Sequence, residues 1–214
     1  MIVEPLPVIR PVVLIVCRGN VCRSPLAASY LRSVLPAHLD DQVLVASAGV
    51  GALVGQGVDP TTARLGERVG LDLRQHRARQ LESSMVELSN IVLTTSRHQG
   101  GIIQQQNPTA HGRVFTIRQL ARLTLGHEAE YIKDSDEPMR DWLDRLALTA
   151  ARCRHFEPRS ADDDIVDPFR RRSGIHRLAF KQIQGAIDQL ATLAIGPVGF
   201  VPRPLVTASA GEGQ

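Results

Sequence analysis

The sequence is short of cysteine and of aromatic residues, and it has no long apolar run. Its three cysteines, Cys17, Cys22 and Cys153, are too few for a secreted disulfide framework and lack the spacing of a zinc site. Aromatic residues make up 4% of the chain, which leaves few platforms for stacking nucleic-acid bases. No segment approaches the ~20 apolar residues of a membrane span, and no signal-peptide pattern opens the chain. We therefore expect a cytoplasmic protein with reduced thiols and no nucleic-acid or membrane partner.

The chain has enough apolar sequence for one sizeable core. Of its 214 residues, 43% are hydrophobic and 22% are charged, which is typical of a globular protein. The formal net charge is +3, and a slightly basic balance is expected around an anionic substrate.

One stretch near the N-terminus predicts a strand, a loop and a helix in that order. Residues 12–16 are apolar and lead into Cys17, and apolar residues recur at helical spacing after Arg23. Open parallel sheets bind ligands at the loops that leave the carboxyl ends of their strands. Backbone N–H groups around Gly19 and Asn20 would form a concave anion site that favours the Cys17 thiolate. Arg23 offers a planar fork for two oxygens of a tetrahedral anion, so the stretch predicts a nucleophilic sulfur beneath a bound phosphate.

This loop resembles the signature loop of the low-molecular-weight protein tyrosine phosphatases, whose superfamily includes thiol-dependent arsenate reductases. The shared pattern is Cys-x-Gly-Asn-x-Cys-Arg-Ser-Pro, which occupies residues 17–25. The resemblance implies an α/β fold with a doubly wound four-stranded parallel sheet and flanking helices. It also implies hydrolysis of phosphomonoesters through a phosphocysteine intermediate, with no cofactor and no metal. Catalysis is assigned to Cys17 and Arg23, and phosphate binding and support to Arg18, Gly19, Asn20, Val21, Cys22 and Ser24.

Two more segments resemble supporting parts of the same family. A predicted second strand ends in Ser47-Ala48-Gly49, and the resemblance implies that Ser47 holds Asn20 in place. The alternative is a strand-end serine that bonds its own turn. The segment that begins at His76 resembles a His-x-Ala-Arg-Gln stretch in which the histidine braces the phosphate loop.

A leaving alkoxide or phenoxide needs a proton, so a carboxylic acid must reach the pocket from another loop. Asp167-Pro168 resembles the Asp-Pro loop of the family, which implies that Asp167 is the general acid and later the base that activates water. Asp59-Pro60 is the alternative, although its sequence context is that of a helix cap. The acidic run at 162–164 is expected to be solvated or to cap local structure rather than to bind a metal.

The substrate is expected to be a phosphotyrosine protein or a small aryl phosphate. Phe169 is predicted to form one wall of the pocket, and Leu53 stands at the opposite wall, where the family often carries an aromatic residue. Phosphotyrosine and smaller phosphomonoesters therefore both remain open.

Two other functions are compatible with the sequence. An arsenate reductase could use the same thiolate with an external low-molecular-weight thiol, because no cysteine occurs between Cys22 and Cys153. The second alternative function is that of a non-catalytic module that binds phosphate or a phosphopeptide. Cys22 either forms a protective disulfide with Cys17 or packs beneath the loop as a small apolar residue.

The rest of the chain predicts one domain over residues 1–195, with a helical insertion around 118–158 and a flexible tail from 196 to 214. Further strands are expected at 91–95 and 114–117, and the segment 126–138 is expected to be a charged loop. The sequence carries no signal for an oligomeric state. Helices are predicted after Asp59 and at 118–125, 139–153 and 174–193.

Overall fold

The computed structural model describes residues 10–157 and 160–196, and every structural statement below refers to them. Residues 1–9 and the predicted tail beyond 196 lie outside these residues. The single-domain division and the insertion around 118–158 stay predictions.

The centre of the fold is a parallel sheet of four strands. The strands are β1 Val12–Cys17, β2 Leu44–Gly49, β3 Ile91–Thr94 and β4 Val114–Thr116, and their order in the sheet is β2-β1-β3-β4. β1 lies between β2 and β3, and its last residue, Cys17, is paired in register with Gly49 at the end of β2.

Helices cover both faces of this sheet, as a buried parallel sheet requires. The helices are α1 Arg23–Val34, α2 Ala37–Asp40, α3 Pro60–Glu67, α4 Ser83–Glu87, α5 Arg97–Gln106, α6 Ile117–Thr124, α7 Glu128–Tyr131, α8 Met139–Cys153 and α9 Ser173–Ile195, with 3₁₀ turns at Pro108–Arg113 and Ala161–Asp163. The larger apolar core lies on one face and includes side chains from α1, α6, α8 and α9; the smaller core on the other face includes side chains from α4 and α5. The predicted doubly wound α/β fold is confirmed.

The charged loop expected at 126–138 is not entirely loop. It contains the short helix α7, whose Tyr131 is fully buried although the surrounding sequence is charged. Trp142 Nε1 donates to the Tyr131 carbonyl at 2.8 Å, and the Tyr131 hydroxyl lies 3.2 Å from Cys153 Sγ. Tertiary contacts with α8 therefore order a turn that the local sequence does not predict.

Among the described residues, no helix combines the length and apolar character needed to cross a bilayer.

Candidate active site

The loop after β1 places two hydrogen-bond donors on the sulfur of Cys17. Cys17 is buried at the end of β1, and the chain enters α1 at Arg23. The backbone N–H of Asn20 lies 3.2 Å from Cys17 Sγ, and the Ser24 hydroxyl lies 3.0 Å from it. Both donors are therefore placed to bond a sulfur that acts as a nucleophile or leaving group.

Asn20 holds the loop in shape. Its φ of 54° lies in the left-handed region, which costs free energy for a residue with a side chain. Its Nδ2 donates to Ser24 Oγ at 2.9 Å and to Ser47 Oγ at 3.0 Å, and its Oδ1 accepts from the Arg79 amide at 2.9 Å. Its own carbonyl lies 2.7 Å from His76 Nε2. The contacts with Ser47, His76 and Arg79 come from distant segments and offset the strain; the roles of Ser47 and His76 in catalysis stay predictions.

His76 acts on the loop as a neutral ring. Burial lowers the pKa of His76, and the positive charges of Arg79 and Arg77 add to the effect, against the hydrogen bond to Asn20. A neutral ring that bonds the Asn20 carbonyl must carry its hydrogen on Nε2.

Two residues that support the loop were missed in the sequence. A Cβ on Gly49 would lie 2.4 Å from the Arg18 carbonyl oxygen and 3.0 Å from the Asn20 nitrogen, so only glycine fits there. Arg79 Nε donates to the Ser47 carbonyl at 2.7 Å, and its backbone amide binds Asn20. The Ser-Ala-Gly turn was a signal for Gly49. Arg79 is the arginine of the His-x-Ala-Arg-Gln stretch, but the sequence analysis assigned no role to it.

Arg23 and Asp167 meet at the mouth of the site. Arg23 is buried, and its Nη2 lies 2.9 Å from Asp167 Oδ2, while its Nη1 donates to the Ile165 carbonyl at 3.3 Å. Its buried Nε has no partner among the described residues. Arg23 Nε, together with the Nη2 that contacts Asp167, can therefore donate hydrogen bonds to an oxyanion in the pocket. The Asp167 side chain is 49% exposed and lines the cavity, and its Oδ1 accepts from the Phe169 amide at 3.2 Å.

A cavity of about 300 Å³ brings most of the predicted site residues together. Leu53 and Phe169 both line it, and the Arg170 guanidinium lies 5.1 Å from the centre of the Phe169 ring. Ser24, Asn20, Ser47 and His76 do not line the cavity and act from behind the loop. The cavity is lined by Cys17, Arg18, Gly19, Val21, Cys22, Arg23, Gly51, Leu53, Asp167, Phe169 and Arg170.

Cys22 differs from Cys17 in its chemistry, although both lie in the same loop. It is buried in a small apolar cluster with Val21 and Ala78. Burial raises the pKa of Cys22 to about 12, partly offset by a hydrogen bond with Thr62. Cys22 is therefore a thiol at neutral pH. Its burial agrees with the interpretation that it packs beneath the loop as a small apolar residue. A disulfide between Cys17 and Cys22 stays a prediction.

The other carboxylates considered in the sequence have structural contacts. Asp59 Oδ1 accepts from the Thr61 and Thr62 amides at 2.9 and 3.1 Å and so caps α3. In the acidic run, Asp163 pairs with Arg122 at 3.0 Å and Asp164 with Arg97 at 3.1 Å. Neither group reaches the cavity, which leaves Asp167 as the carboxylate at the site.

A parallel α/β sheet with a thiol beneath an amide-lined loop, an arginine at its rim and a carboxylate at its mouth defines the class of cysteine-based phosphatases. Residues 12–140 match the family model described as "Low molecular weight phosphotyrosine protein phosphatase". The chain belongs to this family.

Individual relatives agree with that assignment. The chain is 36% identical over 140 residues to "Probable low molecular weight protein-tyrosine-phosphatase EpsP" of Ralstonia solanacearum, which covers 64% of this chain and 86% of the relative. The YwlE arginine phosphatase from Geobacillus stearothermophilus has a TM-score of 0.59 and 26% identity, covering 85% of this chain and 90% of that one. The tyrosine phosphatase Wzb from Escherichia coli K30 shares the fold, with a TM-score of 0.58 and 23% identity over 86% of this chain and 97% of that one. Asp167 lies beyond the family match at 12–140, so its role rests on the geometry.

Proposed function

We propose that this chain hydrolyses the phosphomonoester of phosphotyrosine proteins or small aryl phosphates through a phosphocysteine on Cys17. The observation that carries this proposal is the pair of donors on Cys17 Sγ, at 3.2 and 3.0 Å, beneath a cavity that also contains Arg23 and Asp167.

In the first step, Cys17 Sγ attacks phosphorus and the bond to the phenolic oxygen breaks. Arg23 and the loop amides hold the non-bridging oxygens, where the transition state carries its charge. Asp167 gives its proton to the departing phenoxide, which leaves as a phenol. Because the Arg23–Asp167 contact is 2.9 Å in the free site, the substrate phosphate must compete with Asp167 for Nη2.

In the second step, the same carboxylate takes a proton from water, and the water oxygen attacks phosphorus. The sulfur–phosphorus bond breaks, inorganic phosphate is released, and the sulfur leaves as a thiolate. Asn20 N–H and the Ser24 hydroxyl stabilise that thiolate in both steps. The cycle therefore returns Cys17 to its starting state without a redox change.

Leu53 and Phe169 form apolar surfaces on which an aryl ring can lie, which supports an aryl substrate. The relatives EpsP and Wzb are named tyrosine phosphatases and YwlE an arginine phosphatase, so phosphoarginine belongs among the substrates tested. A catalytic thiolate needs reducing conditions, which supports a cytoplasmic location.

The deciding experiment measures turnover of para-nitrophenyl phosphate, a phosphotyrosine peptide, a phosphoarginine peptide and arsenate with a thiol donor, side by side. We expect Cys17→Ser to lower aryl phosphate turnover by at least about 10⁴-fold, because a serine hydroxyl is a much weaker nucleophile than a thiolate. Asp167→Asn should lower kcat by about 10²–10³-fold while phosphate still binds. Cys153→Ser and Asp162→Asn are the matched controls and should retain full activity.

Each alternative has a distinct outcome. Arsenate reduction that exceeds aryl phosphate turnover would identify a reductase instead. Phosphate binding without turnover of any substrate would identify a binding module. Full turnover by Cys17→Ser would contradict the mechanism itself.

A further inference from the structure

A second cavity, of about 210 Å³, lies where α3 meets the start of α9. Its lining is mostly polar and basic, unlike the mixed lining of the active-site cavity. We call it the arginine cavity; the side chains used in the argument are Thr61, Arg64, Arg68, Ser173, His176 and Arg177.

The arginines of this cavity have no counter-charge. Arg64 Nη2 and Arg177 Nη1 reach only hydroxyl oxygens, on Thr61 and Ser173, each at 3.4 Å. Within the described ranges, no carboxylate lies within 4.0 Å of either guanidinium or of Arg68. Three positive charges at one cavity favour the binding of an anion. An anion with more than one charge or several acceptor atoms benefits most, because it can contact more than one guanidinium group at once.

Some arginines elsewhere in the fold pair with carboxylates. Arg97, Arg122 and Arg145 each lie 2.7–3.1 Å from a carboxylate oxygen. What distinguishes the arginine cavity is that three arginines without such a partner line the same cavity.

The cavity has a buried polar side chain in its lining. His176 is 3% exposed, and its Nδ1 lies 2.9 Å from Thr62 Oγ1 and 3.7 Å from Asp59 Oδ1. Nε2 has no hydrogen-bond partner in the part of the chain that the structure describes. When the Thr62 hydroxyl donates to Nδ1, the hydrogen of the neutral His176 ring is on Nε2. His176 Nε2 is then a further hydrogen-bond donor of the cavity, and packing fixes its position.

The arginine cavity and the active site share one piece of backbone. The Asp59 amide donates to the Val21 carbonyl of the phosphate loop at 2.8 Å, and Asp59 caps the helix that carries Arg64. On the other side, Ser173 follows Asp167 by six residues, so at ~3.5 Å per residue their Cα atoms lie no more than about 21 Å apart. A peptide of about six extended residues is therefore long enough to cover the separation between Asp167 and Ser173.

We propose that the arginine cavity binds a second phosphoryl group on the same polypeptide whose phosphotyrosine occupies the active site. A phosphoryl group carries nearly two negative charges and three acceptor oxygens, which matches several guanidinium forks better than one carboxylate does. This inference rests on the proposed function and adds a substrate class to it: doubly phosphorylated segments with the two groups a few residues apart.

The experiment compares kcat/KM for peptides that are identical except at one position two to six residues from the target phosphotyrosine. That position carries phosphotyrosine, glutamate or alanine. We expect about a fivefold to tenfold higher kcat/KM for the doubly phosphorylated peptide, reduced by added salt. Arg68→Gln and Arg177→Gln should each lose most of this preference, and Arg152→Gln, an exposed arginine on α8, is the charge-matched control that should keep it.

Turnover of para-nitrophenyl phosphate separates this inference from the proposed function. All three variants should hydrolyse it at the wild-type rate, because none of these arginines lines the active-site cavity. Equal kcat/KM for the doubly and singly phosphorylated peptides, with para-nitrophenyl phosphate still hydrolysed, would overturn the inference alone. A glutamate peptide as good as the doubly phosphorylated one would also overturn it, since the cavity would then bind any acidic residue. Inorganic phosphate that abolishes the preference while sparing the singly phosphorylated peptide would support it.

Discussion

The phosphate loop at 17–24 and the helical segment at 117–153 are held in opposite ways. The loop is a set of polar contacts: Asn20 alone makes hydrogen bonds with five residues, of which Ser47, His76 and Arg79 lie outside the loop, and its backbone conformation is strained. The helical segment is held by apolar burial, with Leu120, Trp142 and Leu146 in the main core. Its arginines Arg122 and Arg145 form ion pairs and are partly exposed.

This difference separates the two kinds of damage that a substitution can do. Changes in the loop should lower the rate while the fold stays largely stable, because few apolar contacts are lost. Changes in the helical segment should lower stability while the rate per folded molecule stays the same. The predictions below test that separation, from the largest expected effect to the smallest.

Trp142→Ala should destabilise the protein most. The side chain is 5% exposed, and truncation of a buried tryptophan costs about 3–5 kcal/mol. Chemical unfolding followed by circular dichroism measures the loss of stability. Tryptophan fluorescence cannot be used, because Trp142 is the only tryptophan of the chain and the variant lacks it. Leu148→Ala, on the same helix but 55% exposed, should change stability by less than about 0.5 kcal/mol. A lower kcat for the folded Trp142 variant would contradict the expectation that changes in the helical segment affect stability and not the rate.

Gly49→Ala should damage the loop directly. The new Cβ would meet the Arg18 carbonyl oxygen at 2.4 Å, so the loop must move, and a shift of this order in a catalytic group costs about 10²-fold in kcat/KM. Steady-state assays with para-nitrophenyl phosphate measure it. Gly57→Ala has open space around its Cβ and is the control. An unchanged rate for the Gly49 variant would show that the loop tolerates displacement.

Ser24→Ala removes one donor from the Cys17 sulfur, and we expect kcat to fall by about tenfold or somewhat more. The thiolate leaves in the second step, so the phosphocysteine should accumulate and a burst of phenol should precede the steady state. Stopped-flow measurement shows the burst. Ser33→Ala, on the same helix, should show none; a Ser24 variant with wild-type kcat would remove the hydroxyl from the mechanism.

The smallest effect concerns pH and the helical segment. Hydrogen bonds from Arg145 lower the pKa of Glu137, so this carboxylate stabilises the fold above its ordinary range and loses that contribution as pH falls through the lowered value. The Tm difference between wild type and Glu137→Gln should be largest near pH 6 and shrink below about pH 4. A Tm difference that does not change with pH would show that the contribution of Glu137 to stability does not depend on its charge.

Local sequence was sufficient wherever the interacting residues are neighbours. The strand-loop-helix order places Cys17, Asn20 and Ser24 within eight positions, so their meeting follows from the chain itself. Ser47 and His76 were found only through resemblance to a family. Arg79 and α7 were missed, because the contacts that define them come from distant segments.

The amino-acid sequence by itself determined the parallel sheet, the anion-binding loop and the identity of the sulfur, because apolar period, glycine and asparagine content and the cysteine–arginine spacing are local properties. Only the tertiary structure decided that Asp167 lies 2.9 Å from Arg23, that Gly49 must lack a side chain, and that Arg64, Arg68 and Arg177 line one cavity. The physical reason is that charge pairing and steric fit depend on distances between segments, and those distances exist only after the helices have packed on the sheet.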